Sequence, residues 1–165
     1  TATITAQTVN SVTLPARDDN GTTNGEGVQV GILVTTTTTN ASAIGNTIMS
    51  YTNSNGVVGR TATISSFPAT AVVGTLVKFQ LQAGDKGIRS IQTITLGTSY
   101  AAGAISLVAF KQLVSATSLT ANAGNVPYAK KLDVPLLNGH CLIPIIQANG
   151  TTATTIDGDI IFVNK

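Results

Sequence analysis

The chain has 165 residues, only 10% of them charged, and nine Lys and Arg against seven Asp and Glu leave a formal net charge of +2. Such a weak charge, with four Phe, three Tyr and no Trp, provides neither a phosphate-neutralising face nor a platform for stacking bases, so no nucleic-acid partner is expected. A single cysteine excludes an intramolecular disulfide framework, and the apolar runs are too short to span a membrane.

The composition favours strands over helices. The chain contains 27 Thr but only one Glu and one Met, and β-branched residues prefer extended backbone. The length is that of one domain and is sufficient to bury a core without covalent staples. No basic region followed by an apolar stretch opens the sequence, so no signal peptide is predicted.

Residues 1–27 are predicted to form an N-terminal strand or arm followed by a loop. Apolar residues alternate loosely over residues 1–14, and the Asn, Gly and Asp residues of 17–27 are typical of a loop. Such a segment buries little surface by itself. Either it is the first strand of its own sandwich, or it adds a strand to a neighbouring subunit or to a larger assembly such as a capsid. In the second case the contact residues would be Ile4, Val9, Val12 and Leu14.

Residues 28–34 are apolar enough for a buried strand, and the five threonines of 35–39 would be its solvated end or a loop. Residues 41–51 come closest to helical spacing and allow one short, turn-rich helix at most.

Clearer strand patterns follow. Val77, Phe79 and Leu81 alternate with polar residues, which indicates a strand with one wet face. Turns are predicted at 83–87 and 99–103. Strands are predicted over residues 57–64, 71–81, 88–96 and 104–113.

The C-terminal third is predicted to hold strands over 132–137, 140–147 and 154–163. Asn138 and Gly139 lie between the first two, and this dipeptide is a strong hairpin signal. About eight to ten short strands in total predict an all-β fold, an antiparallel β-sandwich or a barrel, in which residues 28–165 form the sandwich domain.

The sequence holds one histidine, His140, next to its one cysteine, Cys141. Neighbours on a strand point to opposite faces, so these two would not form a nucleophile–base pair, and Cys141 is expected to be a small buried hydrophobe. One His and one Cys cannot provide the three or four ligands of a zinc site.

Carboxylates offer two further candidates. Asp157 and Asp159 share one face of a predicted strand, about 7 Å apart, which suits a hydrolytic pair or a cation, or a charged edge that discourages aggregation. The loop with Asp18, Asp19, Asn20, Asn24 and Glu26 resembles a calcium loop in composition but lacks the alternating spacing. With no phosphate loop and no nucleophile elbow, we predict no catalytic residue, no metal site and no cofactor.

Two stretches resemble a known family. Residues 87–99 (GIRSIQTITLGTS) continuing to 103–110 (GAISLVAF) resemble the central region of small tailed-phage head proteins encoded beside the major capsid protein. Residues 134–146 (VPLLNGHCLIPII) and 150–163 (GTTATTIDGDIIFV) are similar to the closing strands of the same group. The resemblance covers roughly residues 57–165 and points to bacteriophage capsid cement (decoration) proteins.

This resemblance implies a jelly-roll-like sandwich, a homodimer or homotrimer bound to the major capsid protein on the capsid exterior. Such a protein is made in the cytoplasm of a bacterial host and becomes part of the virion. Two other functions stay open, a tail or fibre subunit of the same virion and a carbohydrate-binding or adhesin sandwich. The second lacks its usual platform, because the chain has no Trp and only Tyr51, Tyr100 and Tyr128.

Overall fold

A computed structural model of the chain describes residues 4–9, 14–16, 18–113, 141 and 143. Within this part the regular structure consists of strands alone. They are β1 (Gln7–Thr8), β2 (Val28–Thr39), β3 (Ile44–Asn53), β4 (Arg60–Phe67), β5 (Leu76–Lys78), β6 (Ile88–Thr95) and β7 (Ala102–Lys111).

The strands form two antiparallel sheets. The first sheet has the order β1-β6-β3-β4, and the second has the order β5-β2-β7. The predicted all-β, antiparallel architecture is therefore confirmed, and it is consistent with a β-sandwich. The jelly-roll order stays a prediction, and the C-terminal strands predicted over 132–163 lie outside the described residues except at positions 141 and 143. No helix that could cross a membrane was found in the described part.

One hydrophobic core is shared by both sheets. Along β2, Val30, Ile32 and Val34 are buried, as a strand period of two requires. The first sheet contributes Met49 and Ile94, which lie directly opposite each other on β3 and β6. Further core members are Ile44, Tyr51, Ala62, Ile64, Phe67, Ala71, Phe79, Ile88, Leu96 and Tyr100.

Residues 41–51, where the sequence allowed at most one short helix, form no helix, and most of that segment belongs to β3. In β3, Thr47, Met49 and Tyr51 are buried, and the intervening Ile48 is 40% exposed. Alternation of buried and exposed residues is the strand period, and pairing with β4 and β6 on both sides fixes it.

Two neighbouring strands also differ from the prediction in extent. The strand expected at 57–64 begins at Arg60, and Val57 and Val58 lie in the exposed loop before it. The strand expected at 71–81 shrinks to β5, although its predicted alternation is confirmed because Phe79 is buried and Val77 and Leu81 pack against the core.

Three loops meet at one end of the sheets, formed by residues 18–27, 54–59 and 82–87, and we call this region the loop end. The backbone N–H of Gly27 donates to the carbonyl of Lys86 (3.0 Å), and the N–H of Ser54 donates to that of Gly87 (3.0 Å). An isolated antiparallel bridge joins Glu26 to Gly87. The first loop and the turn at 83–87 match the sequence prediction.

Candidate functional site

A polar network at the loop end centres on Asp85. Its carboxylate accepts hydrogen bonds from the Tyr51 hydroxyl, from Asn53 Nδ2 (2.7 Å) and from Arg60 Nε (2.9 Å). The Asp85 side chain is only 4% exposed, and that of Arg60 is 23% exposed. The network is therefore a largely buried ion pair with two neutral donors.

Strand pairing places these partners. Tyr51 and Arg60 lie directly opposite each other on β3 and β4, and Asn53 is two residues further along β3. The Tyr51 hydroxyl also accepts the N–H of Gln82 (3.1 Å), so that loop 82–87 is attached to the sheet at two points.

The pKa shifts keep Asp85 ionised and the Tyr51 hydroxyl protonated near neutral pH. The hydrogen bond from Arg60 lowers the pKa of Asp85, burial opposes this, and the bonds from Tyr51 and Asn53 bring the pKa to about 2. Burial raises the pKa of Tyr51, and so does its hydrogen bond to Asp85. In these protonation states the network fastens loop 82–87 to the sheet.

Asp18 organises the neighbouring loop 18–27 in the same way. Its Oδ1 accepts the N–H groups of Asn20 (3.0 Å) and Thr22 (2.5 Å). Its Oδ2 accepts the Thr22 hydroxyl (2.6 Å) and the N–H groups of Gly25 (3.0 Å) and Glu26 (3.3 Å). Burial opposes the ionisation of Asp18, yet the hydrogen bonds from Thr22, Glu26 and Asn20 lower its pKa to about 2.

This geometry bears on the calcium-loop alternative. A cation needs oxygen lone pairs directed at it, and both oxygens of Asp18 are directed at N–H and O–H donors. The neighbouring Asp19 binds Lys111 instead (2.7 Å). Among the described residues no group of three or more His, Cys, Asp or Glu is arranged to hold a metal ion.

The four residues predicted as contacts of an N-terminal arm have different surroundings. Ile4 is 56% exposed, Leu14 is half-buried and Val9 packs against the core, where its N–H donates to the carbonyl of Gln92 (2.8 Å). Val12 lies outside the described residues. The adjacent β1 pairs with β6 at the edge of the first sheet through two residue pairs.

Cys141 is exposed, so the expectation of a buried hydrophobe is wrong. Both Cys141 and the nearby Ile143, which is 66% exposed, lie outside any strand. The prediction that Cys141 is buried assumed a strand, in which successive side chains point alternately to the core and to solvent. Outside a strand this alternation does not apply. His140, Asp157 and Asp159 lie outside the described residues.

The outer side of the first sheet carries an uncharged surface that sequence reasoning missed. Thr8, Thr93, Ser50 and Thr61 are successive partners across the four strands, and directly opposed residues share one face. A second row runs beside it through Thr95, Ile48 and Thr63. We call these seven residues the hydroxyl face. They come from distant parts of the chain, so only the strand pairing brings them together.

Tyr51, Tyr100 and Phe67 lie in the hydrophobic core. Tyr51 is fully buried, and Tyr100 is 3% exposed and contacts Phe67 edge to face, with ring centroids 5.8 Å apart at an interplanar angle of 83°. Burial raises the pKa of Tyr100 to about 12. Neither tyrosine offers a ring face to a sugar, and Tyr128 lies outside the described residues.

Exposed apolar pairs occupy loops at both ends of β4. Val57 and Val58 precede the strand at the loop end and are 50% and 74% exposed. Val72 and Val73 lie in the connection from β4 to β5 and are 65% and 61% exposed. The second pair lies beside β2 of the second sheet, because the N–H of Gly74 donates to the carbonyl of Val34 (2.9 Å).

Comparisons of the chain with protein-family models, with curated proteins and with solved structures gave no match.

Acid is expected to destabilise the fold through Asp18 and Asp85. Both pKa values fall from 3.8 to about 2 in the folded protein, so the unfolded chain binds more protons between these values. The contribution of these two carboxylates to the free energy of unfolding is therefore complete above about pH 5 and is lost as the pH decreases towards 2. Urea denaturation at pH 7, 5, 3.5 and 2.5 measures the slope, and Asp18→Asn should flatten it. An unchanged slope in this variant would contradict the assignment.

Deletion of residues 1–14 is expected to leave a folded protein of lower stability. The deletion removes two residue pairs at a sheet edge and the partial burial of Val9, which together are worth about 1–2 kcal/mol. Thermal unfolding followed by circular dichroism measures the change. An unchanged melting temperature would favour a free arm, and complete unfolding would make β1 an essential strand of the sandwich.

Proposed function

We propose that the protein is a structural virion component, a bacteriophage capsid cement protein that binds the outside of the major-capsid shell and stabilises contacts between capsomers. The observation that carries this proposal is the hydroxyl face on an all-β scaffold whose buried carboxylates are engaged in holding loops. Hydroxyl groups can lose water at low cost, because they form new hydrogen bonds with a partner.

The shape of the described part supports a bridging role. The valine pairs in the loops before and after β4 and the hydroxyl face are separate uncharged surfaces. A protein that joins neighbouring capsomers needs more than one contact surface, and binding in many copies lets each contact be weak. The resemblance of residues 57–165 to small head proteins points to the same partner.

The two alternative functions have less support. A carbohydrate-binding sandwich would present aromatic rings to the sugar, and Tyr51 and Tyr100 are buried in the core. A tail or fibre subunit would use the same kind of β-rich, uncharged surface, so its distinction from a head protein has to come from where the protein lies in the virion.

Immunogold electron microscopy locates the protein directly. An antibody against the purified protein is applied to virions of the phage that carries the coding sequence, with virions lacking this sequence as the control. Label on the head surface is expected. Label on the tail would favour the alternative subunit, and virions without label would contradict the proposal. The position of the coding sequence is a second test, because a cement protein should be encoded beside a major capsid gene.

Self-association is part of the same proposal. The apolar run over residues 142–146 exceeds what one sandwich core is expected to bury, so we expect a homodimer or homotrimer. Light scattering at tens of micromolar measures the mass. A strict monomer would contradict this part of the proposal and leave shell binding open.

A further inference from the structure

We infer that the hydroxyl face, centred on Ile48, is the surface through which the protein contacts the capsid shell. The inference rests on the proposed function and deepens it by naming the binding surface and the chemistry of its partner.

Ile48 has the position of an interface anchor. Its side chain is 40% exposed on β3, a strand with a neighbour on each side. Thr95 lies directly opposite on β6 and Thr63 directly opposite on β4. An apolar anchor surrounded by polar groups that exclude water is the usual arrangement of a binding hot spot.

The residues around Ile48 are neutral. All six other members of the hydroxyl face are Thr or Ser, and their hydroxyls both donate and accept hydrogen bonds. Interface centres are depleted of charged residues in the same way. A matching partner surface is therefore an uncharged protein surface with its own hydrogen-bonding groups and a shallow apolar depression for Ile48.

The size of the face selects the shell over a second copy of this chain. Seven residues on strands about 4.8 Å apart, in two rows about 7 Å apart, cover about 230 Å². A stable interface in solution buries about 800 Å² on each partner. A face of less than a third of that size binds weakly alone and holds only where many copies bind one large assembly, as on a capsid.

The test measures binding to heads that lack the protein. Heads are purified from a phage carrying a deletion of the coding sequence, mixed with purified protein and sedimented. Wild-type protein should sediment with the heads, and Ile48→Lys should lower its affinity about tenfold or more, because a lysine would bring an unpaired charge into the contact. Thr35→Lys and Thr37→Lys add the same charge to exposed threonines of β2 in the second sheet and should bind like the wild type.

A second variant on the hydroxyl face keeps the test decisive if Ile48→Lys fails to fold. Thr61→Lys lies on the edge strand β4 in the row of Ser50, where an exposed threonine tolerates replacement, and it should also reduce binding. Circular dichroism checks that each variant is folded.

The outcomes separate the inference from the proposed function. If wild-type protein does not sediment with heads, the proposed function fails. If wild-type and both hydroxyl-face variants bind equally, the function stands and the inference is overturned. A loss of binding confined to the β2 variants would place the contact on the second sheet, and conversion of a dimer into a monomer by Ile48→Lys with unchanged head binding would assign the face to a second copy.

Discussion

Replacement of Gly87 by alanine is expected to cost about 4 kcal/mol or more, enough to unfold a domain of ordinary stability. A Cβ atom at this position would lie 2.0 Å from the carbonyl oxygen of Gly25 and 2.8 Å from the backbone nitrogen of Gly27. Both obstacles are backbone atoms of the loop that Asp18 holds in place, so no side-chain rotation relieves the overlap. Loops 18–27 and 82–87 would have to separate.

Gly84→Ala is the matched control in the same loop. Gly84 has a φ of +87° and no atom within 4 Å of an added Cβ, so its replacement costs only backbone strain, about 1–2 kcal/mol. Gly87 has no such φ, and its replacement measures the steric overlap alone. Urea denaturation gives both free energies of unfolding. Equal losses in the two variants would show that the loops are not held in contact as described.

Asp85→Asn is expected to lower the free energy of unfolding by about 2–4 kcal/mol at pH 7. The amide has the shape of the carboxylate but no charge, and its nitrogen donates where Asp85 accepts. At least one of the three donors, on Tyr51, Asn53 and Arg60, then faces a group that cannot accept its hydrogen. Because Tyr51 and Asn53 are buried, a hydrogen bond lost from either of them is not replaced by one to a solvent molecule.

The same substitution at Asp19 provides the control. The Asp19 side chain is 50% exposed, and its partner Lys111 is held at 2.7 Å near the surface. Exposed ion pairs contribute at most about 1 kcal/mol, and salt screens them. Chemical denaturation at low and moderate ionic strength should therefore show a small, salt-sensitive effect for Asp19→Asn and a large, salt-insensitive effect for Asp85→Asn. Similar effects would mean that the Asp85 network is open to solvent.

The strands could be predicted wherever polar and apolar residues alternate. Val77, Phe79 and Leu81 gave the correct inward face, and β6 lies within its predicted bounds, because a period of two is a local property of the chain. The burial of Thr38, by contrast, could not be predicted from neighbouring residues in the sequence. It is fully buried within a run of five identical residues, and its burial depends on a bridge to Ala71.

The strand at residues 44–53 was not predicted, for a similar reason. Ile44, Thr47, Ile48 and Tyr51 satisfy helical spacing, and the sequence offers no local evidence of the partner strands that make this segment β3. Strand propensity is expressed mainly through contacts with neighbours, so pairing overrides a weak helical pattern.

The candidate site was harder to predict than the fold. Tyr51, Arg60 and Asp85 are scattered over three segments, and the sequence around Asp85 predicted a turn and no more. One signal was available, an isolated Asp in a turn of a chain with few charges, which favours a structural partner for that charge. The hydroxyl face depends on the register of four strands, which a single sequence does not determine.

The pairing of β2 with β7 has a consequence for synthesis. Their partner residues are about 60 to 80 positions apart in the chain, whereas β3 and β4 are joined by a short loop and can meet early. A growing chain leaves the ribosome with its N-terminus first. The longer partner strand of β2, which is β7, is therefore complete only after residue 111 has emerged. During that interval β2 has partners only on its β5 side, and its other edge is an unpaired strand edge that favours aggregation.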